Sequence, residues 1–347
     1  MRSRKPHIVV FFGGTSDSRD LSEQSGYWVC QYIPRSQYRV TPVHVTSDGL
    51  WQVPLGSLPQ TGSVARMVDM LFQTVPVLPA TSGIERLLRQ PVDAMMTVIR
   101  GAGGDDGTLH GLGRVLGIPV VGSSVHTCQQ TSDKYACMQR LEDLASVPYT
   151  RRFPRSTPAE AIAETARGRF VPPVFIKPAT EEGSVGVEVV RSPDELTAAV
   201  SRARSYGDVL IQERLPGTEV SVSMLDDEQG RLHVLPPMVI VPQKTSFYDH
   251  LSKRRGGRVA LHTLQSSDNH LLAELQGIAE DVYRELNCRG LISVDCVVGD
   301  DATHVLEVNT VPTFTEFTPL KKQLEAAGMH PSALLDRLIR RSLEEKS

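Results

Sequence analysis

Two apolar stretches decide the fold: Leu291-Ile-Ser-Val-Asp-Cys-Val-Val298, followed by His304-Val-Leu-Glu-Val-Asn-Thr-Val-Pro312. Each is rich in β-branched residues, which favour strands. Gly299-Asp-Asp-Ala302 lies between them and is typical of a turn. Two such runs joined by a short polar turn predict a β-hairpin.

Three polar side chains interrupt these strands. Asp295 lies in the first, and Glu307 and Asn309 lie two residues apart in the second. Because side chains alternate across a strand, Glu307 and Asn309 share one face, and pairing can bring Asp295 beside them. Burying such groups is costly without a cation, and their oxygens suit Mg²⁺, which commonly binds together with nucleotide phosphates. The alternative, a solvent-facing sheet surface, fits poorly with the Asn-Thr-Val-Pro exit.

Apolar strand-like and helix-like segments alternate over the first 125 residues. The strand-like segments are His7–Phe12, Tyr38–Val45, Asp93–Ile99 and Ile118–Val121. Gly13-Gly-Thr-Ser16 leads into a helix through Tyr32, with Ser16 or Asp17 as the expected cap. This alternation predicts an open α/β domain. Residues 54–90 carry many Pro, Gly and Ser, so an irregular excursion is expected there.

The middle of the sequence carries a lysine at the end of a predicted strand. Val174-Phe-Ile-Lys-Pro-Ala179 precedes the small polar turn Thr180-Glu-Glu-Gly-Ser-Val-Gly186, and Val187–Val190 completes a hairpin. Lys177 beside such a turn can hold polyphosphate through a point charge and a cradle of backbone N–H groups. The alternative is a solvated lysine at a sheet edge.

Other segments complete the pattern. Thr131-Ser-Asp-Lys134 predicts the start of a helix, capped by Ser132 or Asp133. The polar, basic stretch 242–257 is long enough for a mobile active-site lid. Periodic apolar positions predict helices over 269–286 and 332–345.

Composition excludes several classes of protein. A chain of 347 residues is expected to form two or three domains, and a net charge of −3 gives no bias toward nucleic acid. No stretch approaches the ~18 apolar residues of a membrane span, and the first residues lack the apolar h-region of a signal peptide, so a soluble protein is expected. The five cysteines are scattered without a CxxC pair, so reduced thiols in a cytoplasmic protein are expected.

Several short motifs occur in one order along nearly the whole chain: Phe12-Gly-Gly-Thr-Ser16, Gly103-Gly-Asp-Asp-Gly107, Ser132-Asp-Lys134, Phe175-Ile-Lys-Pro178, Gly183-Ser-Val-Gly186, Phe247-Tyr-Asp249 and Glu307-Val-Asn-Thr310. In this order they resemble the ATP-grasp ligases, and among them the D-alanine–D-alanine ligase family with its D-alanine–D-lactate branch. The resemblance implies an α/β (α+β) fold of three domains. These are a Rossmann-like domain over 1–125, a central domain over 126–217, and a C-terminal domain over 218–347 with lid 242–257.

The resemblance also implies ATP between the second and third domains, with two Mg²⁺ ions that Mn²⁺ can replace. Nucleotide binding is expected at Lys134, Lys177, Gly183, Ser184, Gln212, Glu213, Leu215, Glu219, Phe247, Lys253 and Leu306. Metal binding is expected at Asp295, Glu307 and Asn309, and catalytic roles at Lys253, Ser184, Arg254 and Arg100. In such enzymes a substrate carboxylate takes the γ-phosphate, and an amine or hydroxyl then attacks the acyl phosphate.

Where the family holds the first substrate, this chain departs from the pattern. The glutamate that fixes the amino group falls at Ser18, its supporting serine at Gly183, and the lid tyrosine at Arg254. Asp105, in the glycine loop, is also expected near the substrate.

A similar departure affects the second substrate. The family's arginine that holds its carboxylate falls at Ser293, the oxyanion glycine at Thr313, and a carboxylate-seating serine near Thr318. A serine hydroxyl cannot replace a bidentate guanidinium contact. Arg100, which replaces a common histidine, is a candidate for gripping a new anionic substrate together with Arg254 and Arg255; the alternative is that these arginines are merely solvated.

The expected function is an ATP-dependent carboxylate–amine (or carboxylate–hydroxyl) ligase with altered substrates, in specialised biosynthesis, including ring closure within one amino-acid derivative. One alternative is an authentic D-alanine–D-alanine or D-alanine–D-lactate ligase of cell-wall synthesis. A catalytically silent ATP-binding regulator is disfavoured because the lysines and metal ligands all remain. The expected partners are small amino-acid-like molecules and a second copy of the chain in a homodimer, without nucleic acid or membrane.

Overall fold

The computed structural model describes residues 4–60, 62–244, 247–264 and 269–344, which form three β-sheets in succession along the chain. No helix in these ranges is long and apolar enough to cross a membrane. All five cysteines are buried and free of disulfide bonds.

The first sheet contains the parallel strands predicted from the N-terminal sequence. Its strands are β1 (His7–Gly13), β2 (Arg39–Val45), β3 (Trp51–Gln52), β4 (Val77–Leu78) and β5 (Ala94–Thr97), in the order β4-β3-β2-β1-β5. The helices are α1 (Arg19–Tyr32), α2 (Val64–Thr74), α3 (Ala80–Leu87), α4 (Thr108–Leu116) and α5 (Val125–Ser132). Strand β1 is buried throughout and pairs in parallel with β2 and β5. This confirms the predicted open α/β sheet, in which a central strand needs an apolar run.

The prediction of an irregular excursion over 54–90 is wrong. Helices α2 and α3 and strand β4 lie there. Val64 and Val68, four residues apart, turn one face of α2 into the core, and this periodicity outweighs the Pro and Gly residues around it.

Two smaller predictions about this region are also wrong. Helix α1 begins at Arg19 with Ser18 at the N-cap position, so neither Ser16 nor Asp17 caps it. The Ser16 hydroxyl instead donates to the carbonyl oxygen of Arg100 at 2.6 Å, which holds the turn against the glycine loop. The stretch 118–121 forms one isolated bridge to β5 and no strand.

The second sheet has four antiparallel strands. They are β6 (Thr150–Phe153), β7 (Val174–Pro178), β8 (Glu188–Val190) and β9 (Val209–Glu213), in the order β6-β9-β7-β8. Helices α6 (Lys134–Leu141), α7 (Ala159–Arg167) and α8 (Leu196–Arg204) accompany them. The hairpin of β7 and β8 is confirmed. So is one of the two expected caps of α6, because the Asp133 carboxylate accepts from the N–H groups of Tyr135 and Ala136.

The third sheet has six strands built around the predicted hairpin. They are β10 (Thr218–Asp226), β11 (Leu232–Val234), β12 (Met238–Pro242), β13 (Val259–Thr263), β14 (Ile292–Val298) and β15 (Thr303–Asn309). Its helices are α9 (His250–Arg255), α10 (Asn269–Glu285), α11 (Pro319–Ala326) and α12 (Pro331–Glu344). The hairpin of β14 and β15 and the helices α10 and α12 confirm the predictions for this region.

The sequence predicted a loop over the whole stretch 242–257. That prediction is wrong in part, because helix α9 lies within it. The Asp249 carboxylate accepts from the N–H of Ser252 at 2.8 Å and so begins the helix. Gly256, with φ of 65°, ends it. Residues 245 and 246 lie outside the described part of the chain.

The core of the first sheet includes residues from the end of the sequence. Leu334, Leu335, Leu338 and Ile339 of α12 belong to the same buried cluster as the core of β1. The Tyr38 hydroxyl, at the start of β2, donates to the Asp336 carboxylate at 2.7 Å. Helix α12 therefore packs onto the N-terminal sheet.

The contact between α1 and β1 predicts a pair of opposite stability effects. A β-carbon on Gly26 would overlap the ring of Phe12, whereas one on Gly111 in α4 would meet nothing within 4 Å. We expect Gly26→Ala to lower the free energy of unfolding by about 1–3 kcal/mol. Gly111→Ala should leave it unchanged or raise it by up to about 1 kcal/mol, through better helix propensity. Urea unfolding midpoints test this, and equal midpoints for the two variants would contradict it.

Candidate active site

The β14–β15 hairpin brings the three polar residues together. Asp295 pairs across the strands with Glu307, and Ser293 with Asn309, with a bulge directly after Asp295. The Asn309 amide nitrogen donates to Asp295 Oδ2 at 3.4 Å. On the other side, the Ser221 hydroxyl of β10 donates to Asp295 Oδ1 at 2.6 Å. The structure therefore confirms that Asp295, Glu307 and Asn309 lie together, as strand alternation predicted.

Cations surround these carboxylates. Burial, and then the charge of Glu307, raises the pKa of Asp295. Burial also acts on Glu307, but Lys134, Lys253 and Lys177 hold the pKa of its carboxyl below the usual range. Two facing carboxylates are hard oxygen donors of the kind that Mg²⁺ prefers. The donor set therefore fits a divalent cation.

A cavity of about 370 Å³ opens between the second and third sheets. Most of the residues predicted to bind nucleotide line it: Lys134, Lys177, Ser184, Gln212, Glu213, Leu215, Glu219, Phe247, Lys253 and Leu306. Asp295 and Glu307 lie at the same wall, and Gly183 lies outside it, in the adjoining turn. The volume is within the range of small-molecule and cofactor sites.

The apolar walls of this cavity were not predicted from the sequence. They include Phe175, Val187, Ile240 and Tyr248. The rings of Phe175 and Phe247 meet edge to face with centroids 5.7 Å apart. Phe175 lies two residues before Lys177 on β7, so strand alternation could have placed its ring beside the lysine.

Two lysines reach the inner end of the cavity. Lys177 Nζ donates to Gln212 Oε1 at 2.9 Å, and burial lowers the pKa of Lys177 to about 8. Lys134 Nζ donates to Glu182 Oε1 at 2.9 Å and lies 3.6 Å from Glu307 Oε2. Burial opposes the charge of Lys134, but Glu182 and Glu307 raise its pKa above the ordinary value. The pKa of Lys134 is thus raised and that of Lys177 is lowered to about 8.

The turn after β7 packs against the start of α1. Gly183 and Ser184 both have positive φ, 66° and 63°. A β-carbon on Gly183 would press on the Ser18 hydroxyl, which itself donates to the carbonyl of Glu182 at 2.8 Å. The Ser184 hydroxyl donates to the carbonyl of Tyr248 at 3.1 Å and links the turn to the lid. Glycine at 183 is therefore required by both conformation and space.

A second, smaller cavity of about 50 Å³ adjoins the first and shares Tyr248, Lys253 and Asp295 with it. Hydroxyl groups dominate its polar walls: Ser221, Ser223, Ser293, Thr313 and Thr318. Arg100 also lines it. The structure thus brings together Ser293, Thr313, Thr318 and Arg100, which the sequence assigned to substrate binding or catalysis.

Other predicted substrate residues lie outside both cavities. Ser18 and Asp105 are buried behind the site. Arg254 Nε contacts Asp20 Oδ2 of α1 at 2.5 Å, and the His250 ring lies 3.0 Å from the carbonyl of Gly183. These contacts join α9 to α1 and to the turn at Gly183.

Glu182 is a residue that the sequence interpretation missed. Its carboxylate is buried between Lys134 and the guanidinium of Arg100. A glutamate in a glycine-containing turn has the composition of a solvent-exposed loop, so no local signal marked it. Arg100, predicted to grip an anionic substrate, lines the smaller cavity and also contacts this internal carboxylate.

The chain matches known proteins over nearly its whole length. Residues 7–123 match the family described as D-ala D-ala ligase N-terminus, and residues 140–340 match D-ala D-ala ligase C-terminus. The D-alanine–D-alanine ligase of Deinococcus radiodurans is 31% identical, over 99% of this chain and 100% of that protein. The ligase of the same name from Clostridium acetobutylicum is 30% identical, over 96% of this chain and 97% of that protein.

Solved structures agree in fold. The VanG D-Ala:D-Ser ligase of Enterococcus faecalis superposes with a TM-score of 0.78 at 24% identity, covering 98% of this chain and 100% of that one. The D-alanine–D-alanine ligase of Coxiella burnetii gives the same TM-score at 22% identity, covering 99% and 96%. Together with the sequence matches, this shows that the chain belongs to the D-alanine–D-alanine ligase family, a family of ATP-dependent ligases with the ATP-grasp fold.

Proposed function

We propose that the protein is an ATP-dependent carboxylate–amine ligase whose substrates are not two D-alanines. One contrast supports this proposal. The larger cavity holds most of the lysines and carboxylates that nucleotide chemistry needs, whereas hydroxyl groups, with Arg100, Lys253, Asp295 and Asn309, line the smaller one. The arginine that the family places at position 293 is replaced by Ser293 in that smaller cavity.

The nucleotide roles that we propose come from the family resemblance, and they are supported by the fact that the side chains concerned line the larger cavity. We assign the phosphates to Lys134 and Lys177, with the Gly183–Ser184 turn closing over them. Adenine then lies against Gln212, Glu213, Leu215 and Leu306, and the ribose meets Glu219. Asp295 and Glu307, with Asn309 beside them, are the proposed Mg²⁺ ligands, and bound Mg²⁺ would offset the phosphate charge.

The chemistry proceeds between the two cavities. A substrate carboxylate in the smaller cavity takes the γ-phosphate, and a nucleophile then displaces phosphate from the acyl phosphate. Lys253 lines both cavities and can neutralise charge on the transferring group. The contacts of α9 with α1 close the site, which excludes the water that would hydrolyse the intermediate.

The proposed change of substrate rests on the contacts that Ser18 and Arg254 make, because these residues stand where the family has a substrate-binding glutamate and a lid tyrosine. Ser18 donates to a backbone carbonyl and offers no carboxylate to an ammonium group. Arg254 contacts Asp20 and lies outside both cavities. A zwitterion would therefore meet few of the charged partners that orient it, and a polar site of this kind strongly rejects a mismatched ligand.

The second candidate is an authentic D-alanine–D-alanine or D-alanine–D-lactate ligase. The names of the relatives, at about 30% identity over nearly the whole chain, favour it. So does one contact, because the Arg100 guanidinium bonds to Asn309, the residue paired with Ser293. Arg100 would then stand in for the family's arginine from the opposite side of the cavity.

Other features of the protein remain proposals. We infer three domains with boundaries near 125/126 and 217/218, supported by the three sheets. The five free, buried cysteines support a cytoplasmic protein. A homodimer is proposed on the family resemblance alone.

The deciding experiment is ATP-dependent phosphate release across a panel of amino acids and their derivatives. We expect at least one other compound to release phosphate ten times or more faster than D-alanine alone, because the charged partners of a zwitterion are missing. Glu307→Gln is the control and should abolish release while the fold stays intact, since it removes a metal ligand. Robust D-alanyl-D-alanine formation by the protein would overturn the proposal and establish the second candidate.

The lowered pKa of Lys177 predicts a pH dependence of nucleotide binding. Below pH 8 its ammonium group is already charged, whereas above pH 8 phosphate binding must be accompanied by proton uptake. Affinity for Mg-ADP should therefore fall above pH 8, by at most about tenfold per pH unit. Calorimetry in two buffers of different ionisation enthalpy measures both the affinity and the protons taken up. Lys177→Arg, which stays charged, should remove this dependence; an unchanged slope would refute the assignment.

The contacts of α9 predict a lid that orders on binding. Hydrogen exchange within 242–257 should slow when a non-hydrolysable ATP analogue and Mg²⁺ are added, since Phe247 and Lys253 line the nucleotide cavity. Helix α10 lies outside that cavity and serves as the internal control, with unchanged exchange. Equal protection of 242–257 in both states would show that the segment is not a lid.

A further inference from the structure

The guanidinium of Arg100 reaches from the glycine loop of the first sheet into the metal-binding hairpin. Its side chain is only 4% exposed. One terminal nitrogen donates to the carbonyl oxygen of Val311, just after β15. The other donates to Glu182 and, at 2.7 Å, to the Asn309 amide oxygen. A permanent cation therefore already binds the oxygen atom proposed as a metal ligand.

The orientation of the Asn309 amide is set on both sides. Its nitrogen faces the carboxylate of Asp295 at 3.4 Å, and its oxygen faces Arg100. Reversing the amide would place its NH₂ group against a guanidinium and its oxygen against a carboxylate. Both neighbours therefore favour the same orientation.

Arg100 is anchored by buried negative charge on two sides. Glu182 joins it to Lys134, and Asp105 Oδ2 lies 3.6 Å from its Nε. Asp105 and Glu182 are both buried. If the guanidinium moved away, these carboxylates would lose a cationic partner in a place that water hardly reaches, which is strongly unfavourable. Arg100 is therefore a fixed part of the site.

We propose that Arg100 takes the place of one metal ion, so that the site holds a single divalent cation between Asp295 and Glu307. This inference rests on the proposed nucleotide and metal site, for which the family resemblance implies two Mg²⁺ ions. A Mg²⁺ ion on the Asn309 oxygen would lie within about 5 Å of the guanidinium nitrogen that binds the same atom. Two cations sharing one neutral oxygen repel each other, whereas Asp295 and Glu307 offer an ion two carboxylates.

The test counts Mn²⁺ ions in the wild-type protein. Manganese is titrated into protein loaded with one equivalent of ADP, and electron paramagnetic resonance measures free Mn²⁺ and the spectrum of the bound ion. We expect about one bound ion per nucleotide and the spectrum of an isolated ion. A pair of ions about 3.5–4 Å apart, as in two-metal sites, would instead broaden each other's lines.

Variants test whether Arg100 is what keeps a second Mn²⁺ ion from binding. Arg100→Met alone would leave buried carboxylates unpaired, so it is combined with Glu182→Gln. The double variant should bind a second Mn²⁺ and show the broadened spectrum. Arg341→Met combined with Asp226→Asn is the matched control, because it removes another arginine–carboxylate pair, one that lines neither cavity. It should keep one ion.

The outcomes separate this inference from the proposed function. Two coupled ions in the wild-type protein would overturn the inference and leave the nucleotide site standing. No Mn²⁺ retained with ADP would overturn both. A folded double variant that still binds one ion would show that Arg100 does not exclude the second. If circular dichroism shows that the double variant is unfolded, the wild-type count decides.

Discussion

The structure depends on balancing buried charge where its three sheets meet. Glu182, from the turn after β7, lies between Lys134 of α6 and Arg100 of the N-terminal glycine loop. Arg100 extends the chain of contacts to Asn309 on β15. Charges this deep are stable only when paired, so the position of each sheet is fixed by partners on the other two.

This balance of buried charge explains why the larger cavity keeps the charged residues expected for a nucleotide site, whereas the smaller cavity lacks several that the family uses to hold its substrates. The larger cavity lies between the second and third sheets, and its charged residues balance one another there. The smaller cavity faces the first sheet and depends on Arg100, whose donors are largely used within the protein. An arginine whose N–H groups already donate to the protein has fewer donors left for a ligand. Substrate choice is therefore coupled to how the first sheet docks.

How much could be predicted from the sequence depended on distance along the chain. Alternation placed Asp295 opposite Glu307 because both lie in one hairpin. The fold class and family followed from short motifs in a fixed order. The contact of Arg100 with Asn309 joins residues 209 positions apart, and no local pattern encodes it. Glu182 was missed for the same reason, since its function depends on the cations that tertiary structure brings to it.

The packing of α12 onto the N-terminal sheet has a consequence for biosynthesis. Leu335 and Ile339 complete a core whose strands are synthesised roughly 240–330 residues earlier, a delay of about 12–66 s at ordinary rates of translation. Until α12 emerges, the apolar surface that it covers beside α1 and α2 in the folded protein is exposed on the nascent first domain. During that interval the growing chain depends on chaperones or on transient internal contacts, and a ribosome stalled in the third sheet would release an aggregation-prone fragment.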